Sequence, residues 1–404
     1  MPSEKLEPSL KSDLGFLLGD FPESCPKANC QASKKFIIRS GFSDPIACLH
    51  KKRRQRFKCT QCGFRFAENH LKLHFRLKHP DPALNSNIFF LFIHGLSIRK
   101  LSRRLGISCG SAQIRLKRMS QQALAFQYEI LQKIKLNEII CYDGLENFAK
   151  SQYEPNYINQ AVGFNSLFIY DFNAAILNRK GRTSDCQKLK RDELNQLYGR
   201  FNPQAIRIAT KDLFKRLWKL KNRGTNALGT IKRAHDIQPT ESLTIYSDEH
   251  FQYKRAVEID LKNLSIRHET ISSKATRNFQ NILFPVNHVD LLIKQGLAPF
   301  TKETISFSKT HGMMCQKFAL FMVYKNYMTS QFTKKLIKRP RAHLESPAES
   351  LKITNRILTF KDIFEKRCLE DDTKNWNEDW QAFWSGEIPK KYQRIKPASS
   401  QTHY

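Results

Sequence analysis

The chain has 404 residues, enough at roughly 150 residues per domain for about two to three domains. Its 40% hydrophobic and 11% aromatic content, with 29 Phe, is too high for wholesale disorder. Lys and Arg number 68 against 37 Asp and Glu, a formal net charge of +31. A surface of that sign attracts polyanions, and counterion release then drives binding to nucleic acid. The longest apolar runs, Ile88 to Ile93 and Phe318 to Tyr324, fall well short of the about 20 residues a spanning helix needs. The opening MPSEKLEPSLKSDLG carries acids and no apolar core, so no secretory signal is expected.

After a loose arm, residues 21–66 hold two close cysteine pairs, Cys25-x4-Cys30 and Cys59-x2-Cys62. Two such hairpins supply four thiolates at the tetrahedral geometry of a closed Zn²⁺ site, with KKFIIRSGF and QRFKC as short strands between them: a zinc ribbon. Cys59 and Cys62 with His74 and His79 form a rival two-Cys-two-His set, but this leaves Cys25 and Cys30 without a role; Cys48 is a lesser substitute. Of the ten cysteines the rest are scattered, as expected in a reducing, cytoplasmic compartment. The basic run KKRRQRFK, including Arg53 and Arg54, is expected to meet phosphates.

Residues 82–135 read as helices. Apolar residues recur at helical spacing from Ile88, Gly95 ends that helix, and Ser97 is a good N-cap for IRKLSRRL. Gly106 allows a sharp turn and Ser108 caps CGSAQIRLKRMS. Helix, glycine turn and helix make a helix-turn-helix whose second helix enters the major groove. Gln113, Arg115, Lys117 and Arg118 are then expected near the groove.

Residues 136–335 mix strands and helices. Ile139 to Tyr142 reads as a strand ending in Asp143, INQAVGFNSLFIYDFNAAILNR as a hairpin, and SLTIYSD as a second strand ending in Asp248. NHVDLLIKQGL starts a helix with Asn287 and Asp290 one turn apart. Two strand-end acids and a third on a helix suit a pair of Mg²⁺ ions, although a single strand-end Asp more often caps a turn. His250, His268 and His288 lie near these acids and read as ordinary hydrogen-bonding histidines. In the tail, residues 336–404, Trp376, Trp380 and Trp384 recur every four residues and suggest a helix face packing on the body or a partner.

Taken together, CPKANC with RQRFKCTQCGFRF, GLSIRKLSRRLGIS, YSDEHFQY, LFPVNHVDLL and KETISFSKT resemble the DDE-type insertion-sequence transposases, over about residues 21–330. The small elements with an N-terminal ribbon and helix-turn-helix are the most similar, sharing SD-x4-Y (Asp248, Tyr253) and a T-x-x-FS motif (Thr304, Phe307, Ser308). The resemblance implies a multidomain chain: zinc ribbon, helical helix-turn-helix segment and α/β ribonuclease-H-like catalytic domain. It implies Asp143, Asp248 and Asp290 as Mg²⁺ ligands, with Glu303 the alternative third acid. Relatives place the acid before the Asn on the third-acid helix. Here Asn287 precedes Asp290, and Lys294 stands where an Arg is frequent. The implied activity is binding of terminal inverted repeats in double-stranded DNA, then Mg²⁺-dependent cleavage and strand transfer by a homo-oligomer at the bacterial nucleoid. The alternative is a non-catalytic DNA-binding protein or repressor of the same descent.

Overall fold

The structure is a computed structural model. It describes residues 16–17, 21–22, 24–25, 27, 30, 32–42, 53–67, 83–179, 183–223, 241–301, 307–331, 345–364, 373 and 375–395. Near the N-terminus, β1 (Phe16–Leu17), β2 (Ile37–Phe42), β3 (Arg53–Cys59) and β4 (Arg65–Ala67) form a small sheet around β3, with β2 and β4 antiparallel to it. Alternation along β3 turns Gln55, Phe57 and Cys59 inward, and Ile37, Phe57 and Phe66 are the buried core, with Phe21 and Phe64 packed on it. Three buried side chains are a thin core, the situation in which small modules depend on a metal.

Three helices follow: α1 (Leu84–Ile93), α2 (Ile98–Leu105) and α3 (Cys109–Lys133). The Ser97 hydroxyl accepts from Lys100 N at 3.5 Å and the Ser108 hydroxyl from Ser111 N at 3.0 Å. Between these N-caps Gly106 sits at φ 62°, the left-handed conformation that lets α2 stop and α3 leave sharply. With 25 residues, α3 is about 37 Å long. Its N-terminal part belongs to the helical hairpin, and its C-terminal part, from Met119 to Gln127, is buried in the body.

Strands β5 (Ile140–Ala149), β6 (Ser151–Gly163) and β7 (Ile169–Ile176) form an antiparallel meander. After α4 (Asp185–Tyr198), β8 (Arg200–Phe201) and α5 (Ala205–Lys221), β9 (Leu243–Asp248) returns parallel to β5. Then come α6 (Phe251–Arg255) and β10 (Ile266–Ile271), which runs parallel to β9. The mixed sheet has the order β10-β9-β5-β6-β7. Next are α7 (Phe284–Gly296) and α8 (His311–Val323), then the short α9 (Pro347–Ser350) and α10 (Phe360–Phe364). The last elements are α11 (Glu378–Ser385) and β11 (Arg394–Ile395), which pairs with β8.

All eight residues of β7 are buried although it ends the sheet. Asn173 faces α5 and donates to Ala209 O at 2.7 Å, while its neighbour Phe172 packs against Phe318 of α8 and Phe383 of α11. The free edge is blunted by Asn326, whose amide accepts from Ile169 N at 2.8 Å and donates to Ile169 O at 2.9 Å. One hydrophobic core runs from Leu84 of α1 to Tyr392, so packing is continuous across residues 135 and 336. Trp380 is buried and donates to Asp171 Oδ1 at 3.1 Å; Trp376 is buried beside it. The tryptophan face therefore packs on the body. No helix among the described residues is long and apolar enough to cross a membrane.

Candidate functional site

Strand β5 does not stop at Asp143 as its sequence suggests. It runs on to Ala149, because β6 pairs with it along that whole stretch. Asp143 therefore lies within the sheet, opposite Gln160 of β6. On the other side Tyr142 is the partner of Ser247, and one step further Asp143 and Asp248 stand on neighbouring parallel strands with their side chains on one face. Asp290 reaches the same place from α7, where Gln160 Nε2 donates a hydrogen bond to Asp290 Oδ1. Three acids from three elements thus converge, each half-buried.

Burial, then the charges of Asp290 and Asp248, push the Asp143 carboxyl up to about 7, against the Gly144 N–H and Arg277. Burial pushes Asp290 up to about 6, against Lys294, the Gln160 amide and Arg277. Burial is thus the main cause at both carboxyls, and only Asp143 is raised further by its acidic neighbours. Asp248 Oδ1 accepts from His250 N at 3.1 Å, which fixes its orientation. Asn287 is half-buried one turn before Asp290. Glu303 and Thr304 lie outside the described residues.

Tyr253, five residues after Asp248, is fully buried and donates from its hydroxyl to Tyr157 Oη at 2.8 Å. The Tyr157 ring in turn lies on Gly144; a Cβ there would fall 1.8 Å from Tyr157 Cε1. Gly144 is required by that approach. The three histidines each have a partner within the protein. His250 Nδ1 accepts from Gln252 N at 3.3 Å, His268 Nε2 shares a hydrogen bond with Ser247 Oγ at 2.8 Å, and His288 stacks on Phe284.

The four N-terminal cysteines come together. Cys25 Sγ is 3.6 Å from Cys62 Sγ and Cys30 Sγ is 3.8 Å from Cys59 Sγ. Four thiolates at Zn–S of about 2.3 Å on a tetrahedron lie about 3.8 Å apart. Among the described residues these are the one group of three or more His, Cys, Asp or Glu whose ligand atoms all fall within 4.8 Å of one another. The Phe64 N–H lowers the Cys62 thiol to about 7, and burial raises Cys25 to about 12. A metal such as zinc fits this set. His74, His79 and Cys48 lie outside the described residues, as do the side chains of Arg53 and Arg54, whose backbone forms the start of β3.

On the helical hairpin, Gln113, Lys117 and Arg118 are exposed. Lys117 Nζ donates to Ser385 O at 3.2 Å and Arg118 to Gln121 Oε1 at 3.2 Å. Arg115 does not share their face. It is buried, and its guanidinium donates to Asn85 Oδ1 at 2.6 Å, because the helical repeat aligns position 115 with the inward Ala112 and Met119. Sequence reasoning overlooked Arg99, Lys100, Arg103 and Arg104 of α2, all exposed. It also overlooked Gln160, whose signal was the adjacent amides Asn159 and Gln160 between Ile158 and Ala161, all four of them buried. Neither the protein-family models nor the curated proteins contain a match to this chain.

Proposed function

We propose that the chain is a DNA transposase of the DDE type, in which Asp143, Asp248 and Asp290 hold catalytic Mg²⁺ on a ribonuclease-H-like sheet. One observation carries the reading: three carboxylates far apart in sequence converge from β5, β9 and α7, burial raises Asp143 and Asp290, and the charges of Asp290 and Asp248 raise Asp143 further. The mixed sheet, with the first two acids on adjacent parallel strands and helices on both faces, supports the fold assignment. Bound Mg²⁺ would supply Lewis-acid stabilisation of the phosphoryl oxygens.

The protein's own groups orient that chemistry. Gln160 fixes Asp290, the His250 N–H fixes Asp248, and Lys294 and Arg277 balance the negative charge. Water attacks phosphorus and the element's 3′-oxygen leaves as a hydroxyl; that 3′-hydroxyl then attacks a target phosphodiester, loses its proton and displaces the target strand's 3′-oxygen. Both are in-line displacements that depend on positioning and charge. The exposed basic residues of α2 and α3 suit the phosphates of double-stranded terminal repeats, and the cysteine site with zinc braces the N-terminal module. Handling two ends at once calls for a homo-oligomer.

The test is a Mg²⁺-dependent strand-transfer assay with labelled DNA from the flanks of the gene, comparing wild type with Asp143→Ala and Asp248→Ala. Joined products from wild type alone support the reading. Shifted but uncut DNA in every lane supports a non-catalytic DNA-binding protein instead.

A further inference from the structure

A cavity of about 640 Å³ opens between the helical hairpin and the body. Its walls include Ser97, Arg99 and Lys100 at the start of α2, Cys109 at the start of α3, Lys309 just before α8 and Lys317 within α8. Among the described residues no Asp or Glu lines it. Arg99, Lys100, Cys109 and Lys309 are exposed, so solvent reaches the cavity. The first turns of α2 and α3 add their partial positive charge to that of the four cationic side chains.

Lys317 makes this arrangement costly. It is 6% exposed, and among the described residues its ammonium has one hydrogen-bond acceptor, Ser308 Oγ at 3.0 Å, and no carboxylate. An ammonium has three donors, and a buried charge is normally paired. Ser308 is itself fully buried and is tied to the body, its carbonyl accepting from Lys150 N at 2.8 Å. Burial, then the charge of Lys309, lowers Lys317 to about 8, so it is still a cation at neutral pH. The two ammonium groups are thus close enough to repel. Lys309 Nζ lies 4.1 Å from the centre of the Phe307 ring, which is also part of the wall, and that contact keeps it beside the cavity. Cations approaching from separate elements suit a tetrahedral oxyanion with several acceptor oxygens better than a planar carboxylate.

We propose that this cavity binds a small phosphate anion, with Lys317 as its buried cation and Arg99, Lys100 and Lys309 at its rim. A backbone phosphate of DNA has the same chemistry, but a duplex reaches exposed groups, whereas a free ion can enter to a lysine that is 6% exposed. The bound anion ties the first turn of α2 to the segment that leads into α8. The site uses none of the acids on β5, β9 and α7 and does not depend on their role.

The experiment melts the full chain in inorganic phosphate and in sodium chloride of equal ionic strength. Phosphate at about 10 mM is expected to raise Tm by about 2 °C or more over chloride. Lys317→Met, which keeps the length of the stem and removes the charge, is expected to lose this gain. Its phosphate affinity, read by calorimetric titration, is expected to fall at least about tenfold. In chloride this variant is expected to melt no lower than wild type, because it sheds an unpaired buried charge. Lys309→Ala, at an exposed residue, is expected to weaken phosphate binding less. A phosphate gain equal in wild type and Lys317→Met overturns the site, since it then reflects general screening of a chain of charge +31. Loss of duplex-DNA affinity in Lys317→Met, with no phosphate gain in wild type, overturns it too and gives the lysine to DNA backbone contact. If Lys317→Met does not fold, Lys309→Ala decides, and unchanged phosphate affinity there overturns the site. Strand transfer, measured separately, bears only on the acids.

Discussion

Gln160 lies opposite Asp143 in the β5–β6 ladder and donates its side-chain amide to Asp290 on α7. A single amide thus links two acids 147 positions apart, the larger part of the candidate metal site. Because Gln160 is fully buried, its geometry is set by packing rather than by solvent. Gln160→Leu keeps the volume and removes the donor. Apparent Mg²⁺ affinity should fall about 10- to 100-fold, as on removal of other groups that orient a metal ligand. Mg²⁺ titrations of strand transfer read this directly, and an unchanged midpoint would show that Asp290 needs no such support.

The raised acids make metal-free stability depend on pH in a defined sense. The folded Asp143 carboxyl titrates near 7, above the roughly 3.9 of an unfolded Asp. The folded state therefore keeps a proton that the unfolded chain releases, and stability falls as pH rises from about 4 to about 7. Asp143→Asn removes this loss. In chelator at pH 8 it should melt a few degrees higher than wild type, with the difference vanishing near pH 4. In Mg²⁺ the order should reverse. A melting difference that is the same at pH 4 and pH 8 would refute the raised Asp143 carboxyl, whose first cause is burial.

Gly144 admits the Tyr157 ring where any Cβ would collide with it. Gly144→Ala should cost roughly 1–3 kcal/mol of stability through overpacking. Pairing it with Tyr157→Ala should restore part of that loss, because the clash then has no second partner. Denaturant unfolding of both single variants and the double variant measures the coupling; strict additivity would mean that the ring is not held on the strand.

The four thiols should bind one zinc ion per chain. Cys62→Ser, or chelation, should lose that ion and expose the small core of Ile37, Phe57 and Phe66 to proteolysis. Co²⁺ substitution should give the absorption of a tetrahedral tetrathiolate. Full zinc content in Cys62→Ser would remove this cysteine from the ligand set.

Two kinds of arginine on the helical hairpin should part company. Arg103→Ala with Arg104→Ala, both exposed, should weaken DNA binding and lower the slope of its salt dependence by about one to two units. Arg115→Ala should leave that slope unchanged and destabilise the fold, since Arg115 is buried against Asn85. Binding isotherms over a salt series, alongside thermal melts, separate the two effects.

What could be read before folding was local. The cysteine spacing identified all four thiols that meet, Ser97, Gly106 and Ser108 marked the helix ends, and the strand of Asp248 and helix of Asp290 followed from periodicity. Each depends on residues within a few positions of one another, where 3.6- and 2-residue repeats and cap chemistry decide conformation. The placement of Gln160 beside Asp290, of Tyr157 on Gly144, of Arg115 under the hairpin and of Trp380 against Asp171 was settled only by tertiary structure. So was the continuation of β5 through Asp143 to Ala149, which needs β6 beside it. A sequence repeat says which side chains share a face. Which face is covered, and by what, depends on segments brought together from far along the chain, and the burial that raises Asp143 and Asp290 arises only there.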